Sequence, residues 1–369
     1  MKKRKILIVG YYGYDNLGDD LMLLALLNGI NDSLENLKIT ILARKSQNLA
    51  NLIDKFENVE IAYFKMNNKP FNLYLYVKTI FTVDLTIWGG GTCFSDQDGL
   101  GNFKFFIFNL IFRRKFSYLG IGIGELKKNT SKLITRLLLN NSLFTSFRDP
   151  KSLTIANSLT PMKDHFTLSS DLTYILDFKL FKQSSTSDRY ILISLRDLTN
   201  FYTLDQIKNR QEVLLKFLFG IKQIHECDIV VMPIDSVKDF EANNRFYHKL
   251  MNGVTSKNVI FVDDNDMEKK LSVILNSDLN ITERLHSVVI SAFNNVNCIP
   301  LSYSPKINSF CEEVNILNFI SYDEELTVSR LQQCLNTSES NESVDIPKLK
   351  QLKERSKYNI ELLQKFYES

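Results

Sequence analysis

Short, predominantly apolar runs alternate along this chain with longer stretches whose apolar positions recur at helical spacing. The runs at 6–11, 38–43, 59–63, 84–88, 116–121 and 143–146 read as buried strands. The stretches at 21–27, 47–56, 71–81, 103–115 and 131–139 read as helices. A polar segment at 183–188 interrupts the alternation, which then restarts with strands at 190–195, 228–233, 259–262, 278–281 and 296–300. Helices at 204–224, 239–251, 267–275 and 307–314 lie between and after them. A second polar segment, 336–343, precedes a charged amphipathic helix at 348–366. Strand and helix alternating in this way predict open parallel sheets. The expected organisation is a first α/β domain over 1–176, a second over 188–335, and a C-terminal clasp helix over 344–369 that crosses between them.

Composition narrows the function classes. At 369 residues, 44% of them hydrophobic, the chain has enough apolar material for two cores. Its 45 basic and 42 acidic residues leave a net charge of +3, so any basic site is local and a nucleic-acid platform is not indicated. Five cysteines without CxxC spacing read as reduced thiols of a cytoplasmic protein and argue against zinc. The basic residues at 2–5 are followed by an apolar run of only 6–9 before Gly10, too short for a signal peptide, and no stretch reaches transmembrane length. The expected location is the cytoplasm, with at most a peripheral contact at the inner face of the cell membrane. That contact would be made by the aromatic, basic-ended segment from Phe103 to Lys115, whose alternative reading is a buried interdomain helix.

Candidate chemistry clusters where strands hand over to helices. At 278–293 a short strand reaches Thr282, Glu283 and Arg284, and a helix follows. A helix N-terminus attracts anions, Arg284 adds a planar donor fork, and His286 adds a proton donor or acceptor. The ordinary alternative is a surface arginine beside a capping histidine. Arg148, Arg196 and Lys306 occupy equivalent strand-end positions. Arg148 could instead simply pair with Asp149. Four cations and one histidine suit a small ligand carrying both phosphate and carboxylate, provided the two halves face each other across a cleft. The first loop, with Asp15, Asn16, Asp19 and Asp20, matches neither a dinucleotide fingerprint nor a Walker loop. Its acids make it a poor phosphate cradle; Asp15, Asn16 and Asp19 suit a polyol, or cap the helix. Glycines at 89–91 and 120–124 allow close backbone approach or tight turns.

Two Rossmann-like domains facing a cleft resemble the architecture called GT-B. More specifically, the chain resembles the polysaccharide pyruvyl transferase family over nearly its whole length. The resemblance rests on Tyr12-Gly13-Tyr14-Asp15-Asn16-Leu17-Gly18-Asp19, the glycines at 89–91 and 120–124, Phe147-Arg148-Asp149-Pro150-Lys151-Ser152, Asp171-Leu172-Thr173, Glu283-Arg284-Leu285-His286-Ser287 and Ser302-Tyr303-Ser304-Pro305-Lys306. Glu125, where the family often has proline, and Asp20, where it usually has glutamate, depart from the pattern.

The resemblance implies transfer of a pyruvyl group from phosphoenolpyruvate to a sugar of a surface polysaccharide or its lipid-linked precursor, as a ketal. Phosphoenolpyruvate is then a co-substrate, with no further cofactor and no metal. The implied catalytic residues are His286, Arg284 and Asp19. Arg148, Arg284, Arg196, Lys306 and Ser287 would bind the donor, and Asp15, Asn16 and Asp19 the acceptor. A glycosyltransferase with a nucleotide-sugar donor is the leading alternative, because one architecture serves both chemistries. A non-catalytic glycan-binding member is a third reading.

Overall fold

In the first half of the chain the apolar runs become adjacent parallel strands. The computed structural model describes residues 4–368 apart from 98, 162, 182–188, 222–226, 254–258 and 340–343. The polar segment expected at 183–188 therefore lies outside the described residues. The chain divides into one unit of Met1–Leu176 with Lys350–Ser369, and a second of Asp177–Leu349.

The first unit runs β1 (Arg4–Val9), α1 (Leu17–Ser33), β2 (Leu37–Arg44), α2 (Gln47–Ile53), β3 (Val59–Phe64), α3 (Lys69–Ile80), β4 (Leu85–Ser95), β5 (Gly99–Leu100), α4 (Phe103–Ile111), β6 (Phe116–Ile123), α5 (Asn129–Asn141), β7 (Thr145–Phe147), α6 (Pro150–Leu159) and β8 (Phe166–Leu168). The sheet order is β3-β2-β1-β4-β6-β7-β8, with β5 pairing antiparallel on the end of β4. Side chains reach their places because the helix starts are set chemically. Asn16 caps α1 through Gly18 N, and Asp149 caps α6 through Ser152 N with Pro150 at the first position. Leu7, Val9, Phe94, Phe106, Phe116, Tyr118 and Phe147 form one packed cluster. Each such buried side chain contributes about 1.5–3 kcal/mol relative to exposure.

Two departures from the sequence reading matter for the site. Gly89, Gly90 and Gly91 do not end their strand; β4 continues through them to Ser95, and β6 continues through Gly120 and Gly122. The glycines bend the strands rather than turn them: Gly90 and Gly120 have φ of +80° and +60°, and the registers of β4 on β6 and of β6 on β7 both shift in this region. The helix expected to extend to 115 stops at Ile111, and it packs on α3 and α5 within the first unit, half exposed.

The C-terminal helix α13 (Ile346–Glu368) has its first four residues in the second unit and the remainder in the first. Asn359 anchors it. This fully buried amide accepts from Ser146 Oγ at 2.5 Å and Ser169 Oγ at 3.0 Å, and donates to the carbonyl oxygens of Ser170 and Ser356. Ser356 Oγ donates to Asp171 O, so the helix also fixes the segment that carries Asp171. Asn359→Ala is expected to lower stability by about 2–4 kcal/mol, because it strands buried hydroxyl and carbonyl groups. A fall of several degrees in the thermal midpoint checks this; an unchanged midpoint contradicts it.

The second unit runs β9 (Tyr190–Ser194), α7 (Leu204–Gly220), β10 (Asp228–Val231), α8 (Phe240–Gly253), β11 (Val259–Phe261), α9 (Met267–Leu275), β12 (Leu279–Thr282), α10 (Leu285–Asn294), β13 (Cys298–Pro300), α11 (Pro305–Glu313) and α12 (Val328–Glu339). Its five strands are all parallel, in the order β11-β10-β9-β12-β13. Helix α12 takes in residues 336–339 of the stretch read as linker; the rest of that stretch lies outside the described residues. Both sheets reverse strand order once, beside β1 and β4 in the first unit and beside β9 and β12 in the second. Ligands of open α/β sheets bind at the carboxyl ends of strands at such points.

Candidate functional site

At the reversal point of the second sheet, β9 delivers Arg196 and β12 delivers Glu283 and Arg284. Arg284 is the N-cap of α10, and His286 and Ser287 lie in its first turn. The first hydrogen bond of that helix is Val288 N to Arg284 O, so the preceding main-chain N–H groups have no acceptor inside the helix. His286 is half-buried and its Nε2 is shielded from solvent. Ser287 is fully buried and its hydroxyl accepts from Asn280 Nδ2 at 2.8 Å, which ties α10 to β12. Its main-chain N–H lies in the first turn, among the donors that a helix start leaves for an anion.

Arg284 is held from behind. Its Nε donates to Asp239 Oδ2 at 2.6 Å, its Nη2 donates to Asp239 Oδ1, and Asp235 Oδ2 lies 3.6 Å from Nη2. Asp239 is fully buried and also accepts main-chain N–H groups from Asp197 at 3.1 Å and Asp235 at 3.3 Å. Burial alone would lower the guanidinium's pKa; Asp239 and then Asp235 more than reverse that, so it stays charged. Glu283 accepts from Arg196 N at 3.0 Å and Arg210 Nη2 at 3.2 Å. Burial pushes its carboxyl up from the usual range, against the opposing pull of Arg210.

Arg196 has its guanidinium 4.4 Å from the ring centroid of Tyr303 and 5.3 Å from that of Phe201, and Nη1 donates to the Tyr303 hydroxyl. Lys306, half-buried, sits in the first turn of α11, three residues after Tyr303. The second unit thus gathers Arg196, Arg284, His286, Ser287 and Lys306 at one edge of one sheet.

The first unit gathers the others. Arg148 follows β7 and is nearly buried; Nη1 donates to Asp171 Oδ2 at 2.9 Å and Nη2 to Thr92 Oγ1 at 2.9 Å. Asp149, the partner weighed in the sequence, is 3.9 Å away and spends its carboxylate on Ser152. Burial works to lower the pKa of Arg148, yet Asp171 and then Asp149 raise it. Gly122 makes room: a Cβ there would lie 2.9 Å from Arg148 Nε.

After β1, Gly13 adopts φ of +77°, and a Cβ on it would fall 2.1 Å from Arg44 O, so only glycine fits. Asp15 accepts from Ser46 Oγ at 2.6 Å and Asn48 Nδ2 at 3.2 Å, while Asn16 accepts from Gly18 N. Asp19 Oδ1 lies 3.8 Å from the Cβ position of Gly91, next to Thr92. Asp19 and Arg148 therefore border the same bend of β4. The Tyr12 hydroxyl donates to Gly89 O at 2.7 Å. Burial, then Asp19 and Asp20, push its pKa well up, so it stays a neutral donor.

The sequence reading assigned no role to Asp239, Asp235, Arg210, Thr92 or Tyr12. The strand-end rule that found the cations applies equally to Asp235 and Asp239, which follow β10 and precede α8.

Comparison with known proteins separates fold from family. Over 98% of this chain and 99% of the other, the fold is similar to the UDP-GlcNAc 2-epimerase of Methanocaldococcus jannaschii, at TM-score 0.69 and 10% identity. The Neisseria meningitidis UDP-GlcNAc 2-epimerase bound to UDP-GlcNAc gives TM-score 0.67 and 12% identity over 98% and 100% of the two chains. HepE of Anabaena, in complex with UDP and glucose, gives 0.58 and 12% over 97% and 94%. At such identity the likeness shows the fold alone, a GT-B-like pair of parallel α/β sheets. No curated protein matches the sequence. The family model for polysaccharide pyruvyl transferases matches residues 16–305, from the cap of α1 to the first residue of α11, a span that includes Asn16, Asp19, Arg148, Arg196, Arg284, His286 and Ser287. The chain therefore belongs to the polysaccharide pyruvyl transferase family, a family of enzymes.

Proposed function

We propose that this protein moves a pyruvyl group from phosphoenolpyruvate onto two hydroxyls of one sugar in a surface polysaccharide or its lipid-linked precursor. The observation that carries the reading is the buried, carboxylate-anchored Arg284 beside His286 at the start of α10, within the span matched by the family model. A guanidinium held rigid and charged is preorganised for a carboxylate or phosphate, and a helix start adds main-chain donors.

In the proposed reaction His286 gives a proton to the methylene carbon of phosphoenolpyruvate, and positive charge develops at C2. An acceptor hydroxyl attacks C2, losing its proton to Asp19 or to solvent. The C2–O bond to phosphate then breaks, a neighbouring hydroxyl closes the ring on C2, and its proton leaves with the phosphate. The sum is one ketal carrying a methyl and a carboxylate, and one inorganic phosphate. Arg284 and Arg148 are the proposed partners of the donor's anionic groups, with Arg196, Lys306 and the Ser287 N–H in support. Asp15, Asn16 and Asp19 are the proposed acceptor residues.

Mass spectrometry of candidate acceptor glycans after incubation with phosphoenolpyruvate tests this. The expected result is the added mass of one pyruvyl ketal with matching phosphate release. The second reading, a glycosyltransferase, draws on fold relatives solved with UDP-GlcNAc or UDP. Thermal stabilisation by UDP- or GDP-sugars and not by phosphoenolpyruvate would favour it and overturn the first.

A further inference from the structure

Helices α3, α4 and α5 lie side by side on the first unit, α4 touching both others, and their outward faces share one composition. Acids make up 42 of the 369 residues, yet none occurs in α3, in α4 with the following 112–115, or in α5. The exposed charges there are all positive: Lys69, Lys78, Lys104, Arg113, Lys115, Lys132 and Arg136. Between them stand large exposed apolar side chains, with Tyr74 63%, Ile111 61% and Leu133 67% accessible, joined by Phe81, Phe112 and Leu137. The spacing is regular. Tyr74, Lys78 and Phe81 follow one stripe of α3 into its cap, and Leu133, Arg136 and Leu137 follow one stripe of α5. The patch is continuous from α3 to α4, where the Phe81 and Phe112 rings lie 5.1 Å apart. Single exposed apolar residues are ordinary; a run of them across helices, set in charge of one sign, is not.

We infer that this three-helix face rests on an anionic lipid bilayer. Apolar side chains of this size enter the boundary between headgroups and acyl chains, while lysine and arginine stems reach back to lipid phosphates. Charge selects the occupant. A second copy docked through the same face would set like charge against like. No helix among the described residues is long and apolar enough to cross a membrane, so the contact is peripheral, with the helices lying along the surface. The backbone of Arg113 points to a built feature: φ of +51° turns the chain sharply after α4, and Arg114 donates to Ile80 O and Val83 O, which locks the end of α4 onto the end of α3. Arg114 is thus an internal brace, and Arg113 is its exposed neighbour. The inference goes beyond the transfer reaction and stands whether or not the acceptor is lipid-linked.

Co-sedimentation of the full chain with vesicles tests it. The wild type is expected to sediment with phosphatidylglycerol vesicles at low salt, to be released by high salt, and not to bind phosphatidylcholine vesicles. Ile111→Ser with Phe112→Ser should lower the bound fraction about tenfold. The set Lys78→Gln, Lys104→Gln, Arg113→Asn and Lys132→Gln should do the same, asparagine being chosen because it tolerates the left-handed backbone. All these side chains are exposed, so thermal midpoints should not move. Absence of vesicle binding, equal binding to phosphatidylcholine, or equal binding by the variants overturns the inference. So does a wild-type dimer in light scattering that the same substitutions dissolve without any vesicle binding.

Discussion

Replacing His286 by alanine is expected to lower turnover by about 10²–10⁴-fold while leaving thermal stabilisation by phosphoenolpyruvate largely intact. The split follows from where the charges sit. The donor's carboxylate and phosphate are proposed to meet guanidinium and main-chain N–H groups, and those of Arg284 are anchored by Asp239 rather than by the imidazole. Loss of the ring therefore removes a proton donor, leaving the anion contacts in place. Ser287 and Asn280 hold α10 against β12 independently of His286, so the helix start should keep its position. Phosphate release in single-turnover conditions, set beside a thermal-shift titration with phosphoenolpyruvate, reads both halves. Parallel loss of turnover and of stabilisation would make His286 a binding or structural residue. Retention of turnover would remove it from the chemistry altogether.

Much of this arrangement is legible in the sequence alone, and the reasons are physical. A parallel strand buried on both faces is a near-continuous apolar run, so 38–43 and 190–195 stand out, and the cations just beyond such runs mark the strand ends. Short elements carried too little pattern: β8 has three residues and was not read at all. In sequence, Gly89, Gly90 and Gly91 read as a tight turn or a close backbone approach. In fact β4 runs on through Gly90 at φ of +80°, its register on β6 shifts only past Thr92, and Met22 and Leu172 fill the space a Cβ at Gly90 would take. The partners of the arginines were the least visible feature. Asp239 is 45 residues from Arg284 in sequence and Asp171 is 23 from Arg148. Neither spacing has a local signature, because each pairing is created by the sheet. Of the four cations the sequence presents, three become in the fold guanidinium groups already committed to partners that orient them: Arg148 and Arg284 to carboxylates, Arg196 to aromatic rings.

That commitment makes Asp239 as consequential as the arginine it holds. Asp239→Ala is expected to cost about 3–5 kcal/mol, since it leaves the largely buried guanidinium of Arg284 facing only Asp235 and strips two main-chain N–H groups of their acceptor. For a domain of this size that corresponds to a fall of roughly 10 °C in midpoint. Turnover should fall as well, because Arg284 would no longer be fixed in one orientation. A purely structural pair and a functional one differ in what rescues them. Replacing both partners by apolar residues, Asp239→Leu with Arg284→Met, should recover a good part of the stability lost in Asp239→Leu alone, as buried ion pairs generally allow. It should recover no turnover. Thermal unfolding and phosphate release on the same three variants give the two readings. If the double variant regained activity along with stability, Arg284 would be a brace for the loop between β10 and α8, and the donor's anionic groups would have to be held by Arg148, Arg196 and Lys306 instead.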